Sequence, residues 1–326
     1  MNALHESQLE IISGYQFRQL SRPRLWRERI ENFVAALGLK GTVLVADEGI
    51  NFSLSGPPAA LTAWLDWLAG KLDVRAPVIN RQTVEKPPFL RLKVRVRDEI
   101  VTFDAAIRPA PRGASGPSAV HAHPPGEALS AGDWNTLLDD PELQLIDTRN
   151  DYEVRLGSFV GAVNPKTATF TEFKAYCEQK LDSERPVAMF CTGGVRCEKA
   201  SAWLKTRGFG RVYQLHGGIL GYLAETPRSQ SRWRGECFVF DDRVSLDATR
   251  RSCGRVVCRG CRKPAEGLDA SGIPPFGSDG TCLLCRQRFD GARLDGLRER
   301  ARQIALSGAR GDQHPGPDAQ SATSQS

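Results

Sequence analysis

The chain has 326 residues, of which 40% are apolar and 25% charged, and its formal net charge is +6. This composition is typical of a globular protein of two or three domains, and no run of about 18 apolar residues is present that could span a membrane. The N-terminus lacks the basic and apolar segments of a secretory signal. Because the odd count of nine cysteines also argues against a disulfide framework, we expect a cytoplasmic protein with reduced thiols.

Residues 1–108 alternate strand-like and helix-like stretches. Apolar residues recur at helical spacing in PAALTAWLDWLAGKL and at every second position in LRLKVRV. The order is strand, helix, strand, helix, strand, with room for a hairpin in GTVLVADEGINFSLSG. This order predicts a ferredoxin-like (acylphosphatase-like) α+β domain.

The last of these stretches, LRLKVRVRD, has a basic residue at every second position. A strand would present all of these basic side chains on one face and the apolar ones on the other. The basic residues are Arg91, Lys93, Arg95 and Arg97. Such a stripe could contact RNA phosphates, or it could be the solvated outer face of a half-buried strand.

The rest of the chain divides by composition. Residues 109–127 are rich in Pro, Gly, Ala and Ser and are predicted to be a linker. Residues 128–228 alternate short apolar strands with helices, which predicts an α/β domain with a parallel sheet covered on both faces. Residues 229–306 form a basic C-terminal segment, and residues 307–326 have too few apolar side chains to fold and are predicted to be disordered.

The stretch FCTGGVRC predicts a reactive cysteine. Cys191 follows the apolar strand VAMF, where a parallel strand turns into a helix and where backbone N–H groups and the helix dipole favour an anion. Gly193 and Gly194 allow the backbone to curl around the sulfur, and Arg196 adds a positive charge. We therefore predict an acidic, nucleophilic thiol at Cys191, with a buried structural cysteine as the alternative. The loop is completed by Thr192 and Val195.

A second cysteine, Cys197, directly follows Arg196 at the start of the predicted helix. Its proximity to Cys191 suggests a resolving thiol that forms a disulfide or accepts sulfur. A cysteine that packs as a small apolar side chain is an equally good interpretation.

Two CxxC pairs lie near the C-terminus with twenty residues between them: Cys258 and Cys261, then Cys282 and Cys285. This spacing is typical of a zinc site, and four thiolates would bind zinc tetrahedrally with no open coordination position. We therefore predict a structural zinc that orders a segment poor in apolar residues. The alternative is four reduced cysteines in a flexible tail.

The loop from Cys191 to Arg196 is one residue shorter than the Cys-x5-Arg loop of cysteine phosphatases, and a shorter ring suits sulfur chemistry better than a phosphoryl group. On this loop the domain resembles a rhodanese, whose six-residue active loop cradles a persulfide on its first cysteine. The stretch LIDTR matches the Asp-x-Arg element of that family. The resemblance implies that Asp147 and Arg149 form a buried pair that supports the loop.

Longer motifs make the resemblance closer. LIDTRNDYEVRLGSFVGAVNP, FCTGGVRCEKASAWL, VYQLHGGILGYL, RWRGECFVFDDRVSL and ADEGINFSLSG resemble the rhodanese-related tRNA uridine hydroxylases (TrhO type) over residues 10–285. These enzymes convert the wobble uridine of certain tRNAs to 5-hydroxyuridine with molecular oxygen, and the resemblance implies that Cys191 is the essential cysteine. Where that family commonly has EGINGT, this chain has Phe52 and Ser53 after Asn51.

The resemblance thus implies an oxygen-dependent hydroxylase that binds a tRNA anticodon arm, since RNA recognition favours single-stranded loops with splayed bases. Molecular oxygen is the expected co-substrate; the sequence has no flavin, nicotinamide or iron motif, and no motif identifies an electron or sulfur donor. Arg232 and Arg234 flank Trp233, whose ring is expected either to stack on an RNA base or to pack against the rhodanese domain.

Two other functions are consistent with parts of the sequence. A rhodanese-type sulfurtransferase that carries a persulfide on Cys191 would need the loop alone and would leave the flanking domains and the basic bias unexplained. A non-catalytic RNA-binding or zinc adaptor protein would leave the intact loop with Cys191 and Arg196 unexplained.

Overall fold

The computed structural model describes residues 8–75, 77–110, 123–264, 276–277 and 280–309. By their contacts the residues form two compact units, Met1–Cys253 and Gly254–Ser326. Most of the predicted linker and most of the predicted disordered tail lie outside the described residues. None of the helices in the described part of the chain is long and apolar enough to cross a membrane.

The first unit begins with a five-stranded sheet and two helices. The sequence predicts both helices and four of the strands, including the hairpin, but not the strand Val78–Val84. The elements are β1 (Leu9–Phe17), α1 (Pro23–Ala36), β2 (Lys40–Ala46), β3 (Gly49–Gly56), α2 (Pro58–Leu72), β4 (Val78–Val84) and β5 (Leu92–Val96). The strand order is β4-β1-β3-β2-β5, and β5 pairs in parallel with β2 at one edge. The other neighbouring strands are antiparallel, and both helices bury apolar residues in one core with the sheet. This arrangement confirms the acylphosphatase-like prediction.

Phe52, where the chain departs from the resembled motif, lies in this core. It is 2% exposed, pairs in register with Gly14 of β1, and packs edge-on against the ring of Trp64 at 5.7 Å between centroids. A Cβ atom on Gly14 would lie 2.7 Å from the tip of the Phe52 ring. The large side chain is therefore accommodated by a glycine on the neighbouring strand.

The central domain is an α/β layer structure with a four-stranded parallel sheet in the order β6-β10-β9-β7. Its elements are β6 (Glu127–Leu129), α3 (Ala131–Leu137), β7 (Gln144–Asp147), α4 (Asp151–Val154), β8 (Gly157–Phe159), α5 (Phe173–Lys180), β9 (Val187–Phe190), α6 (Val195–Thr206), β10 (Val212–Leu215) and α7 (Gly218–Glu225). Two apolar clusters cover the sheet: one includes Phe173 and Trp203 of α5 and α6, and the other Trp134 and Tyr222 of α3 and α7. The predicted parallel sheet covered on both faces is confirmed.

Three short strands complete the first unit. They are β11 (Trp233–Gly235), β12 (Cys237–Phe238) and β13 (Ser245–Leu246). β11 pairs with β8, and β12 and β13 form an antiparallel hairpin. Residues 229–253, which the sequence analysis grouped with the basic C-terminal segment, therefore belong to the same compact unit as the central domain. The second unit contains α8 (Leu283–Arg288) and α9 (Gly291–Ala309), so that residues 307–309 of the predicted tail are helical.

A buried lysine connects α6 to the N-terminal sheet domain. The side chain of Lys199 is fully buried, and its ammonium group donates hydrogen bonds to Glu48 at 2.6 Å and to Glu99. The pKa of Glu48 is raised, mainly by burial, although the ion pair with Lys199 opposes this effect. Because Lys199 lies one turn after the cysteine loop, these ion pairs hold the helix that carries the loop.

Replacement of Lys199 with Met should destabilise the protein by about 3 to 5 kcal/mol, since it leaves two carboxylates near each other without their cation. The deficit in unfolding free energy relative to wild type should be largest above pH 7 and should shrink toward pH 5, because protonation of Glu48 then removes an uncompensated buried charge. Urea titrations of the wild type and the variant across this pH range measure the difference in unfolding free energy. Lys180→Met, at an exposed lysine of α5, is the matched control and should change stability by less than about 0.5 kcal/mol; an equal loss in both variants would contradict the assignment.

Candidate active site

Cys191 lies at the carboxyl end of β9, in the turn that leads into α6, as the sequence predicts. Gly194 precedes the first residue of α6 with φ of +100°, a conformation that glycine adopts readily, and its N–H donates a hydrogen bond to Cys191 Sγ at 3.1 Å. The side chain is only 2% exposed. The loop therefore curls around the sulfur and presents backbone donors to it.

The start of α7 holds the other side of the loop. The N–H of Ile219 donates to the carbonyl of Cys191 at 2.9 Å, and that of Leu220 donates to the carbonyl of Thr192 at 3.1 Å. Gly218 has φ of +65°, and a Cβ atom there would lie 2.5 Å from the Cys191 carbonyl oxygen. The sequence analysis did not assign a role to the glycines of VYQLHGGILGYL, although their pairing just after a strand was a signal for close backbone approach.

The pKa of the Cys191 thiol is lowered to about 6. Burial acts in the opposite direction and is the largest single effect, but it is outweighed by a hydrogen bond from Cys197, the charge of Arg196, and backbone N–H groups of residues 196 and 197. In contrast, burial raises the pKa of Cys177 and of Cys237, two other buried thiols of the same unit. The loop, and not burial itself, makes Cys191 acidic.

Cys197 lies beneath Cys191 and is fully buried. Its pKa is raised, first by burial and then by the neighbouring Cys191 sulfur, so it carries the proton that Cys191 lacks. Its sulfur also lies 3.5 Å from the hydroxyl oxygen of Thr148, which in turn donates to the carbonyl of Phe190 at 3.0 Å. A protonated Cys197 is thus a neutral hydrogen-bond donor to the Cys191 thiolate.

Arg196 is anchored by a residue that the sequence analysis missed. Its guanidinium group contacts both carboxylate oxygens of Glu153, at 3.0 and 3.2 Å, and the Glu153 side chain is fully buried. Glu153 also accepts the N–H of Asn150 at the start of α4. In the sequence it has the appearance of an ordinary acidic residue in the first turn of a helix, and only its partner, 43 residues later in the chain, distinguishes it.

The predicted pair of Asp147 and Arg149 is present and fully buried. The Arg149 guanidinium donates to both oxygens of Asp147, at 2.9 and 2.7 Å, and to the carbonyl of Gly157 at 2.6 Å. Its pKa is raised by the Asp147 charge, which outweighs the effect of burial. The pair brackets Thr148, and through that residue it supports the floor of the loop.

The N-terminal sheet domain also contacts the loop. Tyr15 of β1 donates to Glu198 of α6 at 2.8 Å, and a Cβ atom on Gly194 would lie 3.0 Å from the Tyr15 hydroxyl. Asn80 of β4 donates to the carbonyl of Gly217 at 3.0 Å, beside the start of α7. The cysteine loop is therefore braced from the N-terminal domain as well as from its own.

The basic residues predicted to contact RNA lie outside this loop. Around β5, Val94 is buried and Leu92 and Val96 are half-buried, whereas Arg91, Arg95 and Arg97 are exposed and Lys93 is half-buried. Around β11, Arg232 and Arg234 are exposed, and Arg232 pairs with an aspartate of the same unit at 2.7 Å.

Trp233 is not positioned to stack on an RNA base, which was the first of its two predicted roles. It is 3% exposed, packs edge-on against Phe159 at 5.3 Å, and lies 5.2 Å from the Arg149 guanidinium. Because strands alternate their side chains, the two flanking arginines face outward while the tryptophan faces the core. The ring therefore packs in the central domain and is not available to stack on an RNA base.

In the second unit the four predicted metal ligands, Cys258, Cys261, Cys282 and Cys285, lie together with their sulfur atoms all within 4.8 Å of one another. Backbone N–H groups of Gly260 and Cys282 donate to Cys258 Sγ at 3.3 and 3.2 Å. Gly260 has no room for a side chain, since a Cβ atom there would lie 2.9 Å from Cys285 Sγ. The four cysteines are therefore arranged closely enough to hold a metal ion.

The acidity of Cys191 can be measured by thiolate absorbance at 240 nm, as the difference between wild type and Cys191→Ala. The midpoint of the absorbance change should lie near pH 6, so that the thiolate predominates at neutral pH. In Arg196→Met the midpoint should move to higher pH, because the positive charge that favours the thiolate is removed. A midpoint near pH 9 in the wild type would contradict the loop electrostatics described above.

Comparisons with protein families agree with this architecture. Residues 9–100 match the family described as UPF0176 acylphosphatase like domain, and residues 130–225 match the rhodanese-like domain family. Among solved structures, a rhodanese-like domain protein from Staphylococcus aureus is 21% identical, covers 29% of this chain and 90% of its own, and has a TM-score of 0.26. An acylphosphatase from Coxiella burnetii is 16% identical, covers 29% of this chain and 100% of its own, and has a TM-score of 0.23.

Among curated proteins, the tRNA uridine(34) hydroxylase of Bartonella henselae is 39% identical to this chain over 306 residues. The match covers 93% of this chain and 96% of the relative, so it includes both domains and extends beyond them. The chain therefore belongs to the tRNA uridine(34) hydroxylase family.

Proposed function

We propose that this protein hydroxylates the wobble uridine of tRNA at C5, giving 5-hydroxyuridine, with molecular oxygen as co-substrate and Cys191 as the catalytic thiol. The observation that carries the proposal is the stabilised thiolate: a chain 39% identical to a tRNA uridine(34) hydroxylase has a buried cysteine whose pKa is lowered to about 6. The cytoplasm, where tRNA and reduced thiols occur together, is the expected location.

The chemistry begins with addition of the Cys191 thiolate to C6 of the uracil ring, which forms a C–S bond. The electrons of the C5–C6 double bond move onto the C4 carbonyl oxygen, so that C5 becomes nucleophilic like the carbon of an enolate. Loop N–H groups and the charge of Arg196 stabilise the anion that forms. C5 then bonds to one oxygen atom of O2, and two electrons from an external reductant, together with protons, cleave the O–O bond and release the other oxygen atom as water. The C5 hydrogen leaves as a proton, and expulsion of the thiolate restores the C5–C6 double bond.

The balanced reaction consumes one O2, two electrons and two protons for each uridine. One oxygen atom enters the base as the hydroxyl group, and the other is released as water. In this proposal the electrons come from an external two-electron reductant, and Cys197 acts as the hydrogen-bond donor that keeps Cys191 ionised between turnovers.

The anticodon arm is the proposed binding element of the tRNA, and the basic stripe on β5 is a proposed phosphate contact. This stripe consists of Lys93 and Arg95 of the edge strand β5 and of Arg91 and Arg97, which flank that strand. Arg232 and Arg234 supply further positive charge on the central domain. Phosphate contacts of this type position RNA without selecting its sequence, so the choice of uridine is assigned to the cysteine loop.

We assign zinc as the metal of the four-cysteine cluster, which the sequence spacing and the sulfur positions both support. The sulfurs of a tetrahedral zinc site with Zn–S bonds of about 2.3 Å lie about 3.8 Å apart. The observed distance between Cys261 Sγ and Cys282 Sγ is 3.9 Å. With four cysteine ligands the site has no position for water or substrate, so its role is structural.

Purified protein should contain one zinc ion per chain by elemental mass spectrometry, and Cys285→Ser should lose most of it, because a fourth ligand is removed from a closed site. Substitution with Co²⁺ should give the intense absorption of tetrahedral thiolate coordination in wild type only. Cys253→Ser is the matched control, since Cys253 is exposed and lies outside the cluster. Wild-type protein without stoichiometric metal after zinc loading would contradict the assignment.

The function is tested by nucleoside mass spectrometry of tRNA incubated with protein, a reductant and ¹⁸O2. Wild type should add one labelled oxygen atom to uridine, and Cys191→Ala should add none, because the nucleophile is absent. Lys180→Met, which changes an exposed lysine of α5, should retain activity close to that of wild type. Labelled product from Cys191→Ala would contradict the role of the thiolate.

The same experiment separates the sulfurtransferase alternative. Transfer of sulfur from thiosulfate to cyanide that is independent of RNA, together with no oxygen gain on uridine, would assign the protein to that activity. Tight tRNA binding with no modification in wild type would instead support an RNA-binding protein.

A further inference from the structure

An exposed phenylalanine lies at the tip of the hairpin formed by β12 and β13. The turn of this hairpin is closed by a hydrogen bond from the N–H of Val239 to the carbonyl of Val244 at 2.8 Å. Within the turn, the side chain of Phe240 is 64% exposed. Of the large hydrophobic side chains exposed in the described part of the chain, Phe240 is the aromatic one.

This hairpin is attached directly to the cysteine loop. The Cζ atom of Arg196 lies 5.6 Å from the centroid of the Phe240 ring, within the range of a cation–π contact. The neighbouring Phe238 packs edge-on against Phe240 at 5.0 Å and accepts a hydrogen bond from the Thr192 hydroxyl at 3.4 Å. Two residues of the loop, Thr192 and Arg196, thus contact this hairpin.

The tip is also fixed in position, so the exposure of Phe240 belongs to an ordered turn. Arg243 donates to both oxygens of Asp241 at 2.8 and 2.7 Å and to Gln82 Oε1 of β4 at 2.9 Å. The N–H of Asp242 donates to the carbonyl of Pro88 at 3.0 Å. Val244, a β-branched residue, is held at φ of +62°, a strained conformation that persists only where the surroundings determine it.

Apolar burial does not explain why Phe240 is held at this position. A phenyl group that is 64% exposed contributes little apolar burial, and it is held at the rim of a loop whose reacting atom is the Cys191 sulfur. An aromatic face beside a guanidinium group offers the stacking and cation–π contacts that a nucleobase takes. A protein partner would instead be expected to meet a larger apolar patch.

We propose that Phe240 stacks on a nucleobase of the RNA substrate at the rim of the cysteine loop, and thereby positions the uridine over Cys191. This inference rests on the proposed function, since it takes RNA as the substrate. The stacked base is either the target uracil or a base next to it in the loop; both present the same π-face, and the experiment distinguishes them.

Phe240→Leu retains an apolar side chain but lacks an aromatic face, so it should raise the Kd for an anticodon stem-loop RNA about 5- to 100-fold. KM for hydroxylation should rise in parallel, and kcat should fall as well, because a uridine that is not held over Cys191 reaches the reactive geometry less often. Phe240→Trp should restore binding to the wild-type level or better. Leu25→Ala, at an exposed residue of α1, is the control for loss of exposed apolar surface and should bind like wild type.

The stacked base is identified by a double-mutant cycle with RNAs that carry an abasic site at the target position, at its 5′ neighbour or at its 3′ neighbour. At the stacked position, Phe240→Leu should cost no further affinity, because its partner is already absent. Wild-type affinity in Phe240→Leu, or additive losses at all three positions, would overturn the inference. Absence of RNA binding and of oxygen gain in the wild type would instead refute the proposed function, and the inference with it.

Discussion

The stabilisation of a buried thiolate is the constraint on which the rest of the structure depends. A charged sulfur that is only 2% exposed loses most of its hydration, and burial alone would keep Cys191 protonated. The compensation must come from donors fixed before any substrate arrives. It is supplied by the loop N–H groups, the thiol of Cys197 and the guanidinium of Arg196, and each requires a particular backbone path, including the positive φ of Gly194.

Helix α6 connects the cysteine loop to other parts of the first unit. Its first residues project in successive directions, about 100° apart. Val195 packs against an apolar cluster of the N-terminal domain, Cys197 faces the active thiolate, and Glu198 and Lys199 bind side chains of the N-terminal domain. The acylphosphatase-like domain therefore has a structural role besides its proposed contact with RNA: its side chains hold the helix that follows the cysteine loop.

Local patterns in the sequence were sufficient to predict three of the parallel strands, the cysteine loop and the four-cysteine cluster, since each depends on residues close together in the chain. The pair of Asp147 and Arg149 was predicted only through the resemblance to rhodaneses. The partners of the loop were not predictable in this way. Glu153 and Lys199 have the appearance of surface charges on helices, and their burial depends on groups that are distant in sequence. For Trp233, between two arginines, the sequence left open whether the ring stacks on an RNA base or packs against the central domain. Strand alternation, applied at that position, turns the ring inward, as the structure has it. The three-residue strand β6, at the end of the predicted linker, is too short to give a periodic signal.

The charge balance of the loop bears on the kind of substrate it suits. A loop that binds a phosphate dianion needs uncompensated positive charge, whereas here the Arg196 guanidinium is already matched by the buried carboxylate of Glu153. With the thiolate included, these three groups carry a net negative charge. A neutral ring such as uracil can approach this sulfur without repulsion, and it becomes anionic only after addition. Because the nucleophilicity of a thiolate falls with its pKa, a value of about 6 keeps the sulfur ionised at neutral pH while preserving much of its reactivity. The hydrogen bond from the neutral thiol of Cys197 helps to keep Cys191 ionised. Unlike a second cation, it adds no positive charge that would favour the binding of a phosphate.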